Sequence, residues 1–232
     1  MSERNQKTYG DIRAGKVENM REINIAFQLY QGLFQAWLQY PRMLQMEYGI
    51  FPFIAGGSIR DTILAKKVKD IDLWITIPDW IVEKAGVDRL TLLGEISGRE
   101  GWTFSGVDNN DSGADPEGRG IIGVYEYQFD SVEQPYNIIV LNEDRPPMEI
   151  MREFDFGICQ VGINPYGIGI VNKEFVEDVK NKTFTQTREQ SPERKQERLR
   201  RLQQKFPDFK EPSVIVRPDG TSQDASPQII VG

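Results

Sequence analysis

The sequence predicts an α+β fold: a mixed β-sheet flanked by helices, with an added helical segment at the N-terminus. Strand-like runs crowd the middle of the chain: "FPFIA", "DIDLWITI", "IIGVYEYQF" and "YNIIVLN". Helical patterns stand before and after them. The connections mix long crossovers with hairpin-length turns, a combination that disfavours a doubly wound parallel sheet.

Residues 1–17 carry no periodic pattern and read as poorly ordered. From Glu18 to Met46 the spacing is helical, with Ile23, Phe27, Tyr30, Phe34, Trp37 and Leu38 on one face. Pro41 breaks or kinks this segment. Gln28, Gln31, Gln35 and Gln39 form an uncharged opposite face, which is either solvated or a surface for a protein partner. Phe51 to Ala55 is a short buried strand, Gly56-Gly57 a turn, and Ser58 to Lys67 a helix. Asp70 to Ile77 is a strand by its β-branched and aromatic content. Asp79 can cap a helix through about Ser97. "GWTFSG" reads as a strand and "VDNNDSGADPEGRG" as a loop.

The second half continues the alternation. "IIGVYEYQF" and "YNIIVLN" are strands, "RPPMEIMREF" a short helix beginning near its prolines, and "FDFGICQVGIN" another strand. "SPERKQERLRRLQQKF" is a basic helix, with Ser191 as N-cap and Pro192 in the first turn. The tail from Lys210 reads as loosely held. The organisation predicted is a helical extension over residues 1–48, a central domain holding the sheet over 49–182, the basic helix over 183–209 and the tail over 210–232.

Composition narrows the chemistry. Hydrophobic residues make up 39% of the 232 and aromatics 10%, enough for a core, and no apolar run is long enough to span a membrane. The polar start "MSERNQKTYG" lacks the apolar stretch of a secretory signal. The one cysteine, Cys159, allows neither an intrachain disulfide nor a cysteine-based zinc site, and reads as a small buried residue. A cytoplasmic setting fits. There is no histidine, which excludes Ser-His-Asp hydrolysis, Cys-His proteolysis and His-ligated metals. The net charge of -7 argues against a broad nucleic-acid surface, though not against a local basic patch.

The stretch "GGSIRDTILAKKVKDID", Gly56 to Asp72, concentrates the remaining chemistry. Strand period places Asp70 and Asp72 on one face and Ile71 and Leu73 on the other, toward the core. Two carboxylates so close share a proton or hold a cation. Their oxygens suit Mg²⁺ or Mn²⁺, and two such ions can clamp both oxygens of a phosphoryl or nucleotidyl transfer. Gly56 and Gly57 let a phosphate approach the backbone, the following helix start offers free N–H groups, Ser58 adds a hydroxyl and Arg60 a cation. Together these are the needs of a nucleoside triphosphate.

At these residues the sequence resembles the nucleotidyltransferases of the DNA polymerase β superfamily. It is most similar to the branch of tRNA nucleotidyltransferases and bacterial poly(A) polymerases, whose signature has the form GGxVRDxLLGxxxxDxD. The spacing agrees without a gap, and Ala65 replaces the last glycine. "REFDFGICQVGIN" is similar to the strand motif that follows the catalytic strands there. "EFVEDVKNKTF" is similar to the segment that closes the sheet, and "ERLRRLQQKF" to the arginine-bearing helix after it.

The resemblance implies that Asp70 and Asp72 bind catalytic Mg²⁺. It implies that Gly56, Gly57 and Ser58 bind the triphosphate, supported by Arg60 and Asp61, with Arg152 a further candidate. It implies a third carboxylate on a later strand. "YNIIVLN" is the natural strand for it but presents Asn137; Asp155 is the next candidate, then Glu126. The helical domains that grip RNA in tRNA nucleotidyltransferases have no room in this chain, which argues against CCA addition. The acceptor is then small, or a protein, or an RNA held by a partner.

Two features stay open. Asp108, Asn110, Ser112 and Gly113 resemble half a calcium loop, but Arg119 stands where a bidentate Glu is required, so an acidic loop is the better reading. Arg194, Arg198, Arg201 and Lys205 are either a solvated face, paired locally with Glu193 and Glu197, or contacts for phosphate. The function expected is Mg²⁺-dependent transfer of a nucleoside monophosphate from an NTP to an acceptor hydroxyl. The alternative is a non-catalytic protein of the same fold, acting in nucleotide sensing or protein assembly.

Overall fold

A computed structural model of the protein describes residues 7–99, 120–129, 132–210 and 228–230. The N-terminal region holds four helices: α1 (Tyr9–Arg13), α2 (Met20–Leu29), α3 (Gln31–Trp37) and α4 (Gln39–Tyr48). The single helix expected from Glu18 to Met46 is thus three. The breaks fall at Tyr30 and Leu38, not at Pro41. Pro41 sits in the first turn of α4, where a missing N–H removes no intrahelical bond. Residues 9–17 also depart from expectation: Thr8 and Asp11 form a capping box on α1, and Ile12 and Val17 are buried.

The sheet follows. β1 (Phe51–Ala55) leads through Gly56 into α5 (Gly57–Ile63), and β2 (Ile71–Thr76) returns antiparallel to β1. The helix expected from Asp79 is split into α6 (Asp79–Ala85) and α7 (Arg89–Arg99). Gly86, at φ 71°, turns the chain between them, and Asp88 accepts hydrogen bonds from the N–H groups of Leu90 and Thr91. Pro78, not Asp79, is the N-cap of α6, and Asp79 pairs instead with Arg89.

β3 (Ile121–Tyr127) and β4 (Tyr136–Leu141) form an antiparallel pair, and β4 lies parallel to β2. α8 (Pro147–Arg152) comes next. The strand expected over "FDFGICQVGIN" is only half strand: Gly157–Cys159 is a 3-10 turn, followed by β5 (Val161–Ile163). Gly157 is pressed against the helix α9 (Lys173–Asn181), where a Cβ would come within 2.8 Å of the Glu174 Cβ. β6 (Gly169–Val171) precedes α9, and the basic helix α10 (Pro192–Lys205) follows it. Ser191 caps α10 as its sequence implies. Part of the tail is also ordered, since β7 (Gln228–Ile230) pairs with β6. "GWTFSG" and the calcium-like loop lie outside the described residues.

The strand order is β3-β4-β2-β1-β5-β6-β7. β2 and β4 make the one parallel pair among the described strands. The sheet is therefore mixed, and the fold is α+β. Ile71, Leu73, Ile75, Ile138 and Val140 are fully buried and belong to a core that also holds Phe34, Trp37 and Leu38 of the N-terminal helices. The hydroxyl of Tyr136 in β4 donates to the carbonyl of Trp37 at 2.8 Å. No helix among the described residues is long and apolar enough to cross a membrane.

One strained position bears on the signature stretch. α5 ends two residues before Ala65, whose φ of 50° is left-handed. A Cβ in that conformation costs about 1–2 kcal/mol. Ala65→Gly is expected to stabilise the protein by about 0.5–1 kcal/mol, the relief being offset in part by the freer unfolded chain. Urea unfolding monitored by circular dichroism checks this, and a lowered midpoint would contradict it.

Candidate active site

The site grows from β1 and β2. Ile54 of β1 stands opposite Leu73 of β2, so the turn after β1 lies at the end of β2 that bears Asp70 and Asp72. Gly56 has φ 90° and ψ -132°, a conformation that favours glycine. A Cβ on Gly56 would stand 3.6 Å from Asp72 Oδ2 and 3.7 Å from the ring of Phe154. The glycine turn therefore faces the carboxylate across a space that any side chain at position 56 would fill, bringing together two features that the linear sequence separates.

Asp70 and Asp72 are both half-buried, whereas Ile71 and Leu73 are fully buried on the other face. Burial, and then the neighbouring charge of Asp70, push the Asp72 carboxyl up to about 6. A hydrogen bond from Asn137 and the charges of Arg198 and Arg60 oppose that shift. Asn137 stands beside Asp72 in the parallel register of β2 and β4, and its Nδ2 donates to Asp72 Oδ1 at 3.0 Å. Glu126 lies one strand further, opposite Asn137, and is exposed. Among the described residues, no group of three acidic, cysteine or histidine side chains could hold a metal ion. Two like-charged oxygen donors on one face are still a set that a hard cation relieves. The residues present therefore fit Mg²⁺ or Mn²⁺ between Asp70 and Asp72.

Ser58 is 1% exposed, and its hydroxyl has no hydrogen-bond partner. Gly57 lies against Arg60, whose Nη2 is 3.5 Å from the position of a Gly57 Cβ. Arg60 itself is buried. Its Nε donates to Asp61 Oδ1 at 2.7 Å, its Nη1 to Cys159 Sγ at 3.1 Å, and its guanidinium covers the Phe206 ring at 5.3 Å. Asp61 also pairs with Lys205 of α10. The expectation that Asp61 touches nucleotide meets a carboxylate that is 2% exposed and held by two cations.

Asp155 is likewise buried, and its Oδ2 pairs with Arg198 Nε at 3.2 Å. It does not join Asp70 and Asp72 in a three-acid set. Arg152 is exposed in the last turn of α8. The basic helix is therefore not merely a solvated face. Arg198 and Lys205 dock it on Asp155 and Asp61, with Leu202 buried between them, while Arg201 pairs with Glu197 within the helix. The partnership of α10 with α5 and Asp155 has no local sequence signal, since the partners meet only in the fold. Cys159 is buried, and its Sγ accepts from Arg60.

The raised carboxyl has a thermodynamic sign. Asp72 binds its proton more tightly folded than unfolded, so stability falls as pH rises from about 4 to about 6. Asp72→Asn removes that penalty. It is expected to stabilise the metal-free protein at pH 7 by roughly 1–3 kcal/mol, with the gain vanishing below about pH 4. Thermal unfolding across that pH range in EDTA checks this; equal stability of the two proteins at pH 7 would contradict it.

No family model matches the chain, and no curated protein matches it in sequence. Solved structures do match. A CCA-adding enzyme in complex with CTP aligns with a TM-score of 0.54 at 15% identity, over 80% of this chain and 41% of that one. A tRNA-processing enzyme in its apo form I gives 0.52 at 17% identity, over 80% and 44%. The Thermotoga maritima CCA-adding enzyme complexed with tRNA gives 0.50 at 15% identity, over 84% and 42%. The chain spans less than half the length of these structures. At such identities the likeness is one of architecture: this chain has the nucleotidyltransferase fold, the mixed sheet and flanking helices found in the CCA-adding enzymes.

Proposed function

We propose that this protein is a nucleotidyltransferase that moves a nucleoside monophosphate from an NTP to an acceptor hydroxyl and releases pyrophosphate. The observation that carries this reading is that the Gly56 turn faces Asp72 Oδ2 across the space of a missing Cβ, with the charge of Asp70, just before β2, acting on the same carboxyl. An anion site and a cation site touch there, as a nucleoside triphosphate with its metal requires. Asp70 and Asp72 would hold Mg²⁺ or Mn²⁺, which when bound neutralises triphosphate charge and aligns the reacting phosphate. The Ser58 hydroxyl and the open N–H groups after Gly56 receive phosphate oxygens. Arg152 and the exposed part of Arg198 add positive charge around them.

Arg60 and Asp61 act from beneath. Locked to each other, they fix the first turn of α5 and hence the Gly56-Gly57 backbone. In the transfer, the acceptor oxygen bonds to the α-phosphorus. The bond from that phosphorus to the α–β bridging oxygen breaks, and pyrophosphate leaves with its electron pair. The acceptor proton passes to water, because Asn137 has no basicity and Asp155 is 2% exposed with Oδ2 paired to Arg198.

The acceptor is RNA, a protein or a small molecule, and the setting is cytoplasmic. The exposed glutamines of α2, α3 and α4 offer a surface for a protein partner. A second reading is favoured by Asn137: a non-catalytic protein of the same fold, serving nucleotide sensing or protein assembly. Incubation with α-labelled NTPs, Mg²⁺ and RNA, protein and small-molecule acceptors distinguishes the two. Label transfer is expected, falling about 10²-fold or more in Asp70→Ala and Asp72→Ala. No transfer to any acceptor, with the alanine variants indistinguishable, would leave the second reading.

A further inference from the structure

We infer that Asn137 limits this site to a single divalent cation, the one carried in with the nucleotide. The inference rests on the nucleotidyl-transfer reading of the site. It follows from counting donors. Neighbouring strands lie about 4.8 Å apart, so the residue paired with Asp72 on β4 is its immediate lateral neighbour on the same face. That residue is Asn137. Its Nδ2 donates to Asp72 Oδ1 at 3.0 Å, taking one of that oxygen's two lone-pair sites, and it brings no negative charge where a second ion would need a ligand.

The remaining anionic donors are Asp70 and Asp72 Oδ2, which faces the Gly56 turn. A magnesium ion held by one or two carboxylates completes its shell with substrate phosphates and water. A pair of ions about 3.5–4 Å apart needs further anionic ligands to offset their mutual repulsion. Glu126 does not provide them: it lies a full strand beyond Asn137, and no three-acid group exists among the described residues. Asp155 is 2% exposed, pairs through Oδ2 with Arg198, and forms no acidic group with Asp70 and Asp72. The neutral amide thus sets both the charge of the pocket and its capacity. A carboxylate at position 137 would turn the same lateral contact from a hydrogen-bond donor into a third ligand.

Native mass spectrometry of the full chain with Mn²⁺ and a non-hydrolysable α,β-methylene NTP reads the capacity without turnover. Counts from the Asp70→Ala/Asp72→Ala double variant serve to subtract ions carried by the nucleotide or the surface alone. The expected species are one specific Mn²⁺ per wild-type protein–nucleotide complex and two in Asn137→Asp. Two specific ions on the wild type, or one on a folded Asn137→Asp, would overturn this inference alone. Should Asn137→Asp fail to fold, the wild-type count decides. No nucleotide-dependent ion on the wild type would overturn it together with the nucleotidyl-transfer reading.

Discussion

Asp70 and Asp72 repel each other, and the rest of the molecule is arranged to hold them in place. Two half-buried carboxylates on one strand face would twist or slip the strand if nothing opposed them. The opposition comes from the other face of β2, where Ile71, Leu73 and Ile75 are fully buried. A slip of one residue would move all three onto the face that holds Asp72 and the buried Trp74 and Thr76, and would carry the acids into the apolar core. Register is therefore fixed by apolar burial, and the electrostatic cost is borne locally. Asn137 reduces that cost by donating to Asp72, and Arg198 and Arg60 reduce it at longer range.

The ion pairs behind the site follow a related logic. Asp61 and Asp155 are nearly inaccessible, so each needs a cation close by. Both cations that reach them from α10, Lys205 and Arg198, lie two helical turns apart on one helix face. One helix thus closes both pairs, with Leu202 filling the gap between them. Arg60 joins the arrangement from α5 through Asp61 and stacks on Phe206 just beyond α10. The glycine turn inherits its rigidity from this docking, although none of the residues in the turn contributes a charge.

Much of this was legible in the sequence, and the boundary of legibility is physical. β1, β2, β3, β4 and α10 carry their signals locally: β-branched runs, a Ser-Pro helix start, and glycines at a turn. The pairing of Asp70 with Asp72 on one face follows from strand period alone. The breaks at Tyr30 and Leu38 were not legible, because neither residue is a helix breaker and their dihedrals stay close to the helical region. β6 and β7 have three residues each, too few for a period to show. The burial of Asp155 depends on Arg198, and that of Asp61 on Lys205 as well as its neighbour Arg60; the two α10 partners are distant in the chain and no local window contains them. Asn137 was conspicuous as a residue type, but only the parallel register reveals that it touches Asp72.

The bond from Tyr136 to Trp37 has a bearing on how the molecule could be loaded mechanically. Tyr136 immediately precedes Asn137, and its hydroxyl reaches through the core to a carbonyl at the end of α3. The N-terminal helices are therefore fastened to the strand at the height of the carboxylates, not at its far end. Any displacement of α3 along its axis would be transmitted to β4 one residue from the contact with Asp72. In this molecule the outer helices and the polar contact of Asn137 with Asp72 share a lever arm.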